Sequence, residues 1–273
     1  MQFIPIFAAV KKMTDIIHPI AAELAQFETF FAQTMKAETE PMDSIMRYVF
    51  ETRGKRLRPI MVLFSAKFFG KPNEQTQRAA IFVEMVHSAT LIHDDVVDDA
   101  NARRKKASVK AQFGNLSAVL AGDYLLAKAM LILSNPDDHA ILQEMLSTTA
   151  AMSEGELMQT IVADCVSQSG NTTKYLDIIT RKTAMLMRSC CVAGALSVNA
   201  TPEQIQQIAD FGLNFGILFQ LRDDILDGEN AEIAQIMLPD YLEKTLQSLE
   251  GFQNTEIAEA FKELTMFCAE RNS

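Results

Sequence analysis

The chain has 273 residues, of which 48% are hydrophobic and 22% are charged, and its formal net charge is −10 at pH 7. A chain of this length can bury a sizeable core in one large domain or two small ones. The acidic balance excludes bulk attraction to nucleic acid and suits a protein that holds cations.

The hydrophobic pattern predicts helices along nearly the whole chain, and the small numbers of Gly (11) and Pro (8) agree with that prediction. We expect helices at 6–35 with a break near Pro19, and at 42–54, 58–70, 74–100, 115–133, 139–166, 174–198, 202–228 and in the C-terminal remainder. Loops are expected at 38–41, 101–108 and 167–173. Thr201 should cap the helix that opens with Pro202. No strand-like alternation stands out, so the expected fold class is all-α, a bundle with central apolar helices.

The cysteines and the apolar runs bear on the cellular compartment. Cys165, Cys190, Cys191 and Cys268 lack the spacing of a zinc site, so we interpret them as reduced packing residues. No apolar run approaches the roughly 18 residues of a spanning helix. The N-terminal cations follow the apolar residues, which is the wrong order for a secretory signal. We therefore expect a cytoplasmic protein with at most transient membrane contact.

Two groups of aspartates share one spacing, and each follows an apolar helical run. They are Asp94, Asp95 and Asp98, and Asp223, Asp224 and Asp227. Residues four apart lie on one helix face, so these carboxylates repel each other unless a cation lies between them. Carboxylate oxygens suit Mg²⁺, which leaves coordination positions for phosphate oxygens. A solvated acidic face is the alternative for one such group, but the repetition favours a metal site.

Cations surround these groups in the sequence. Arg103 and Arg104 follow the first group, "RGKRLRP" at 53–59 supplies four more cations including Arg53, and Lys182 lies in "RKTAM". Metal ions alone do not need such cations, whereas a diphosphate bound to Mg²⁺ does, because arginine forks bind its remaining oxygens. A solvated basic loop stays the alternative for 103–106. A core histidine is the alternative for His87, which lies seven residues before Asp94.

Six motifs in order resemble those of the all-trans polyprenyl diphosphate synthases. They are "RGKRLRP", "HDDVVDDANARR", "GNLSAVLAGDYLLA", "EGELMQ", "KTA" and "FQLRDDILD". The resemblance runs from about residue 40 to Gly228 and resumes weakly in the C-terminal helix. It implies one domain over residues 1–273 with the isoprenoid-synthase helical bundle, and usually a homodimer. It also implies Mg²⁺-dependent head-to-tail condensation of isopentenyl diphosphate onto an allylic diphosphate, farnesyl diphosphate or similar.

The resemblance further implies a role for individual residues. The six aspartates would bind three Mg²⁺ and the allylic diphosphate. That diphosphate would be supported by Arg103, Lys182 and Gln220. The isopentenyl diphosphate would be held by Lys55, Arg58, His87 and Arg104. Two further positions, Thr183 and Gln159, would line the reacting cleft.

The product length is expected to depend on an apolar tunnel below the first aspartates. Phe82, Val86 and Ala89 fall on one helix stripe, and Thr90 follows them. In the family, a bulky aromatic residue at the position of Ala89 or Thr90 gives short products. Because both residues are small here, the sequence resembles medium- or long-chain synthases, such as octaprenyl types that make quinone tails. Core packing is the alternative for the methionines nearby.

The sequence also departs from the family pattern. Arg53 stands where glycine is common, and Lys105 and Ala107 replace the usual Gly and Pro. Several dozen family residues are missing between about Gly228 and Glu229, and we expect that a mobile stretch of a longer chain is omitted from this sequence. An intact mass that agrees with 30.4 kDa would contradict that expectation.

Two rival functions stay open. A non-catalytic subunit of a heteromeric prenyltransferase gains from the missing segment, but such subunits usually lack one or both aspartate groups. A class I terpene cyclase shares the fold and the first group. It predicts a second metal motif of the Asn/Ser/Glu type, and it has no use for a second diphosphate site.

Overall fold

The structure is a computed structural model that describes residues 11–52, 54–169, 172–251 and 255–271, with backbone alone for 162–169. Arg53 therefore lies outside the described residues, as does the side chain of Cys165. Within the described ranges, the regular structure is helical apart from one short hairpin. The expected all-α class is confirmed.

Thirteen α-helices are assigned in the described ranges. They are α1 (Met13–Ile16), α2 (Ala21–Thr34), α3 (Glu40–Glu51), α4 (Leu57–Phe69), α5 (Glu74–Val97), α6 (Val109–Phe113), α7 (Asn115–Ile132), α8 (His139–Ser169), α9 (Thr172–Ile179), α10 (Met185–Leu196), α11 (Pro202–Asp227), α12 (Ala231–Gln247) and α13 (Glu256–Glu270). Single turns of 3₁₀ helix cover His18–Ile20 and Pro136–Asp138, and a π-helical turn covers Thr180–Ala184. The first of these turns agrees with the predicted break near Pro19.

Several predicted boundaries were wrong by a few residues. Helix α5 ends at Val97 instead of Ala100, because Asp98 leaves the helical conformation and Asp99 is left-handed with φ 53°. The predicted loop after it contains strands β1 (Ala102–Arg103) and β2 (Lys106–Ala107), which pair antiparallel.

Two other loop predictions were partly wrong. The expected loop at 38–41 overlaps the first turn of α3, where proline is tolerated because that N–H has no helical partner. The loop expected to begin at 167 is helical as far as Ser169.

The core is built around helices that are apolar nearly all round. Helix α4 buries every residue from Pro59 to Ala66, and α10 buries most of its length. Helix α10 packs against α4 and α11, and α5 packs against α4 and α7. The rings of Phe211 and Phe64 meet Phe261 of α13 with centroids 4.8 and 5.3 Å apart, so the C-terminal helix belongs to this core.

Helix caps hold the N-terminal ends of the two long helices that carry the aspartates. In α11, Thr201 Oγ1 accepts from the Gln204 amide at 3.3 Å, and the Thr201 amide donates to Gln204 Oε1 at 2.8 Å. Asn73 and Thr76 form the same reciprocal cap on α5. The predicted cap at Thr201 is confirmed, and α11 continues without a break for 26 residues to its acidic end.

The junction after Gly228 is short. Helix α11 ends at Asp227, Gly228 is left-handed with φ 78°, and α12 begins at Ala231 and packs back on α11. Three residues therefore connect two packed helices at the point where a longer family segment was expected. That a longer chain carries that segment stays a prediction.

Two expectations about composition have mixed outcomes. Cys190, Cys191 and Cys268 are free and buried, as expected for packing residues. The expectation that no apolar run approaches spanning length was wrong for α7, which is long and apolar enough to cross a membrane by length and composition. Of that segment, 28% is buried in the protein, and core helices of soluble proteins pass the same test.

Candidate active site

Helices α5 and α11 bring their acidic ends to one cavity of about 610 Å³, called the larger cavity below. Asp94 reaches it from α5, and Asp223 reaches it from α11. The other predicted site residues in its wall are Arg58, His87, Thr90, Arg103, Arg104, Lys182, Thr183 and Gln220. Apolar side chains complete the wall, among them Leu91, Val97, Met152, Leu157 and Phe219.

A second cavity of about 480 Å³, called the smaller cavity, adjoins the larger one. The two cavities share the side chains Arg58, His87, Arg104 and Phe219. All four residues that the resemblance assigns to isopentenyl diphosphate line the smaller cavity, since Lys55 is also in its wall. The structure therefore brings together residues that are as far apart in sequence as Lys55 and Arg104.

The six aspartates differ in their surroundings. Asp95 is 2% exposed and accepts from Arg103 Nε at 2.8 Å. Asp224 is also buried, and it accepts from the Tyr175 hydroxyl and from Gln220 Nε2. Asp98 and Asp227 are exposed at the helix ends. Of the six, only Asp94 and Asp223 line the larger cavity.

The carboxylate of Asp94 carries an incompletely balanced charge. Burial and the nearby Glu156 raise its pKa to about 6, although Lys182 and Arg103 act in the opposite direction. Burial likewise raises the pKa of Asp223, against the effect of its ion pair with Arg271. A buried carboxylate whose pKa is raised gains from an added positive charge.

The donor set fits Mg²⁺ in an open site. In the described parts of the chain, no three His, Cys, Asp or Glu side chains are arranged to hold a metal ion. Mg²⁺ is commonly held by one or two carboxylates together with waters and substrate phosphates, which is what Asp94 and Asp223 can offer.

A π-helical turn presents Lys182 and Thr183. The sequence predicted one continuous helix over 174–198, but Thr180–Ala184 is π-helical and inserts an extra residue. Helix α8 approaches this turn closely, because a Cβ on Gly155 would lie only 2.7 Å from the backbone nitrogen of Lys182. Lys182 Nζ pairs with Glu156 at 2.6 Å. Thr183 Oγ1 donates to Gln220 Oε1 at 2.7 Å, which links the turn to α11.

The hairpin after α5 positions Arg103 and Arg104 on different partners. Arg103 bonds Asp95, whereas Arg104 Nη1 donates to the Thr52 carbonyl at 3.1 Å. Arg104 and Lys105 are both left-handed, with φ 51° and 65°. This conformation explains physically why glycine is usual at the position of Lys105 in the resembled family.

Some predicted residues lie away from the cavities, and some cavity residues were not predicted. Gln159, Phe82, Val86 and Ala89 are in neither wall, and the last three are buried in the core. The residues that sequence reasoning missed are Glu156, Tyr175, Phe219 and Arg271. Glu156 lies inside the quoted "EGELMQ" motif, which was a usable signal. Arg271 had none, because its contact with Asp223 depends on the packing of α13.

Comparison with known proteins agrees with the fold and identifies the family. The family model described as polyprenyl synthetase matches residues 39–259. The chain belongs to this family. The resemblance inferred from the motifs is therefore confirmed, and the family consists of enzymes that transfer prenyl groups.

Relatives and solved structures extend the comparison. The chain is 33% identical to an all-trans-nonaprenyl-diphosphate synthase (geranyl-diphosphate specific) of Rhodobacter capsulatus, over 91% of this chain and 77% of the relative. It is 35% identical to an octaprenyl diphosphate synthase of Haemophilus influenzae, over 66% of this chain and 54% of the relative. The chain thus spans about half to three quarters of these relatives. A polyprenyl synthase from Caulobacter crescentus, solved with calcium and isoprenyl diphosphate, superposes with a TM-score of 0.90 at 25% identity, covering 97% of this chain and 99% of that one.

The raised pKa of Asp94 can be tested by substitution of its two charged neighbours. We expect Glu156→Gln to lower the pKa of Asp94 from about 6, because a like charge is removed and Lys182 is released toward it. Lys182→Met should raise it. Carbon-13 NMR titration of labelled aspartate carboxyls in the metal-free protein measures both shifts. Shifts of the opposite sign would contradict the assigned causes.

Proposed function

We propose that this chain is a Mg²⁺-dependent polyprenyl diphosphate synthase that condenses isopentenyl diphosphate head-to-tail onto an allylic diphosphate. One observation carries the proposal. Two adjoining cavities share Arg58, His87 and Arg104, and the larger one also contains a carboxylate from each aspartate group. This arrangement suits two diphosphates whose hydrocarbon ends meet near Phe219.

The larger cavity would bind the allylic diphosphate. When bound, Mg²⁺ (three ions are expected) stabilises the charge of the departing diphosphate as a Lewis acid. Asp94 and Asp223 would hold the metal, and the exposed Asp98 and Asp227 are near enough in sequence to join them. Lys182 and Arg103 would donate to the diphosphate oxygens as the carbon–oxygen bond breaks. Donors directed at charge that develops in the transition state lower the barrier most effectively.

The smaller cavity would hold isopentenyl diphosphate. Arg58 Nε is buried and has no hydrogen-bond partner among the described residues, so an anion there would satisfy it. Burial and the neighbouring arginines lower the pKa of His87 well below its usual value, so the neutral ring can donate one N–H. The double bond of isopentenyl diphosphate would attack the allylic carbon, and loss of a proton would restore a double bond.

The apolar part of the larger cavity would protect the allylic cation. Leu91, Met152, Leu157 and Phe219 lie in the same wall as Asp94. Such side chains keep water from the reacting carbon, which would otherwise be captured as an alcohol. The reaction needs no nucleophilic side chain, because the isopentenyl double bond is itself the nucleophile.

The proposed product is a medium- or long-chain polyprenyl diphosphate, used for quinone side chains. The relatives include proteins named heptaprenyl, octaprenyl, nonaprenyl and decaprenyl diphosphate synthases. Farnesyl diphosphate is our proposed primer, although the Rhodobacter relative is named as geranyl-diphosphate specific. Small side chains at Ala89 and Thr90 support long products, and Thr90 faces the larger cavity.

The rival functions are less well supported. Two relatives are named component 2 of heptaprenyl diphosphate synthase, which keeps a heteromeric assembly as the alternative to a homodimer. A non-catalytic role is disfavoured because carboxylates from both groups reach one cavity. A terpene cyclase is disfavoured because it has no use for the cations of the smaller cavity.

Removal of either cavity carboxylate should abolish elongation. We expect Asp94→Ala and Asp223→Ala to lower kcat by about a thousandfold or more, because each loses a proposed metal ligand. Labelled isopentenyl diphosphate, farnesyl diphosphate and Mg²⁺ are incubated with folded protein, and products are resolved by chain length. Wild-type products beyond fifteen carbons that disappear with EDTA support the proposal. Failure of the folded wild type to incorporate label would favour the non-catalytic subunit.

The product stop can be located with two tyrosine variants. Thr90→Tyr should shorten the product, because the ring would enter the larger cavity below Asp94. Ala89→Tyr should also shorten it, because the sequence predicts an apolar tunnel along the stripe that contains Ala89. Product chain lengths and thermal stability are measured for both variants. Unchanged products from both would show that the chain grows in another direction.

We also propose that the chain forms a cytoplasmic homodimer through α7 and α8. Among the described side chains, the large exposed apolar residues are Leu116, Val119, Leu120, Met130 and Leu131 on α7, and Leu146, Leu157 and Ile161 on α8. Leu116 and Leu131 are 75% and 71% exposed. Asp123 lies within the α7 stripe with its side chain 60% exposed, and a carboxylate there disfavours insertion into lipid. A second copy would cover these residues in water.

Charge placed in the α7 stripe should separate the copies. We expect Leu120→Glu to raise the dimer dissociation constant at least about tenfold, because it buries an unpaired charge in the interface. Sedimentation equilibrium measures the change. The control is Gln112→Glu, because Gln112 is exposed on α6, away from the exposed apolar residues of α7 and α8. A monomeric wild type would refute the proposal, and binding of the wild type to lipid vesicles would favour a membrane surface instead.

A further inference from the structure

Arg56 has an unusual backbone conformation at the entrance to α4. It lies between two cations of the proposed isopentenyl diphosphate site, Lys55 and Arg58, and it precedes the first helical residue. Its φ of 55° and ψ of 29° are left-handed, a conformation that a long side chain seldom adopts. Such a conformation persists only where the surroundings hold it.

The side chain of Arg56 is held on several sides. Its Nη1 donates to Glu84 Oε1 at 2.5 Å, and its Nε donates to Glu28 Oε1 at 2.9 Å. Its guanidinium lies 4.8 Å from the ring centroid of Phe31. Arg56 and Glu84 are 9% and 7% exposed, so the pair is little screened by water. The donors of Arg56 are thus directed to protein carboxylates, although the residue borders the smaller cavity.

The same ion pair connects the elements that carry the other cations. Glu84 lies one turn before His87 on α5, so Arg56 joins the 54–58 segment to the helix of His87. Arg104 lies against the same segment, because a Cβ on Gly54 would lie 2.7 Å from Arg104 Nη1; the Thr52 carbonyl, before the segment, accepts from that nitrogen. Lys55, Arg58, His87 and Arg104 therefore depend on one backbone arrangement.

We propose that Arg56 and Glu84 are positioning residues for the smaller cavity. They hold the neighbouring cations in the geometry that binds a diphosphate, and they do not bind the diphosphate themselves. The identity of that diphosphate as the isopentenyl substrate rests on the proposed function. Replacing a buried ion pair by apolar residues is often neutral for stability, so a geometric role accounts for charges kept at this place. The pair fixes the left-handed turn, and the turn places Lys55 and Arg58 in the wall of the same cavity.

An electrostatic effect and a positioning effect predict opposite changes in anion affinity for the same variant. Glu84→Gln removes a negative charge from the wall of the smaller cavity, so a purely electrostatic effect would tighten anion binding. Positioning predicts the reverse, because Arg56 keeps only Glu28 as an ionic partner and the turn relaxes. Calorimetry with inorganic pyrophosphate, in EDTA and with the full chain, measures binding without metal ions. We expect at least about tenfold weaker binding for Glu84→Gln and for Arg56→Met.

Arg78→Met is the matched control. It breaks another partly buried ion pair, in which Arg78 Nε donates to Asp138 Oδ2 at 2.7 Å, and Arg78 lines neither cavity. Pyrophosphate binding by this variant should equal that of the wild type. Equal weakening in Arg78→Met, tighter binding by Glu84→Gln, or no binding by the wild type would each overturn the inference.

Steady-state kinetics separates this inference from the proposed function. In Arg56→Lys and Glu84→Gln, the KM for isopentenyl diphosphate should rise about tenfold or more, while the KM for farnesyl diphosphate stays within about twofold. A parallel rise of both constants would indicate general damage and overturn the positioning role. If the wild type makes no product, the proposed function fails, and the pyrophosphate measurements still decide the role of Arg56.

Discussion

The structure depends on the confinement of negative charge at the ends of two core helices. Asp94 and Asp223 face one partly apolar cavity from α5 and α11, and burial disfavours the charged form of each. Their position near the C-terminal ends of the helices further disfavours the charged form, because that end of a helix carries partial negative charge. Nearby cations offset the charge only in part: Arg103 and Lys182 act on Asp94, and Arg271 acts on Asp223. A local arrangement that lowers stability in this way is expected at a functional site.

In each aspartate group, one buried member forms structural hydrogen bonds and another member lines the larger cavity. Asp95 accepts from Arg103 and holds the hairpin against α5, whereas Asp224 accepts from Tyr175 and Gln220 and holds α9 against α11. Because these partners satisfy the buried members of each group, the neighbouring members are left to face the larger cavity. The proposed ligand site is thus supported by carboxylates that do not themselves line it.

The two cavities distribute charge in a way that suits two anionic substrates. The charged side chains of the smaller cavity are cations except for Glu84, and their proposed geometry depends on Arg56 and Glu84. The larger cavity mixes carboxylates, cations and apolar side chains, so it suits a diphosphate joined to a hydrocarbon. Leu157 belongs both to that wall and to the exposed face of α8, so the product tail and the proposed second copy would meet on the same helix.

The sequence by itself determined the all-α class, the long helices, the cap at Thr201, the two aspartate groups and the family, because these depend on local spacing and on motifs in order. It could not distinguish Asp94, which faces the cavity, from Asp95, which is bonded to Arg103, because that difference arises from the hairpin packed against α5. Only the tertiary structure decided the π-helical turn that contains Lys182, the contact of Arg271 with Asp223 and the pairing of Arg56 with Glu84. Each of these joins residues that are distant in the chain or balances local strain against packing, and local patterns carry no information about either.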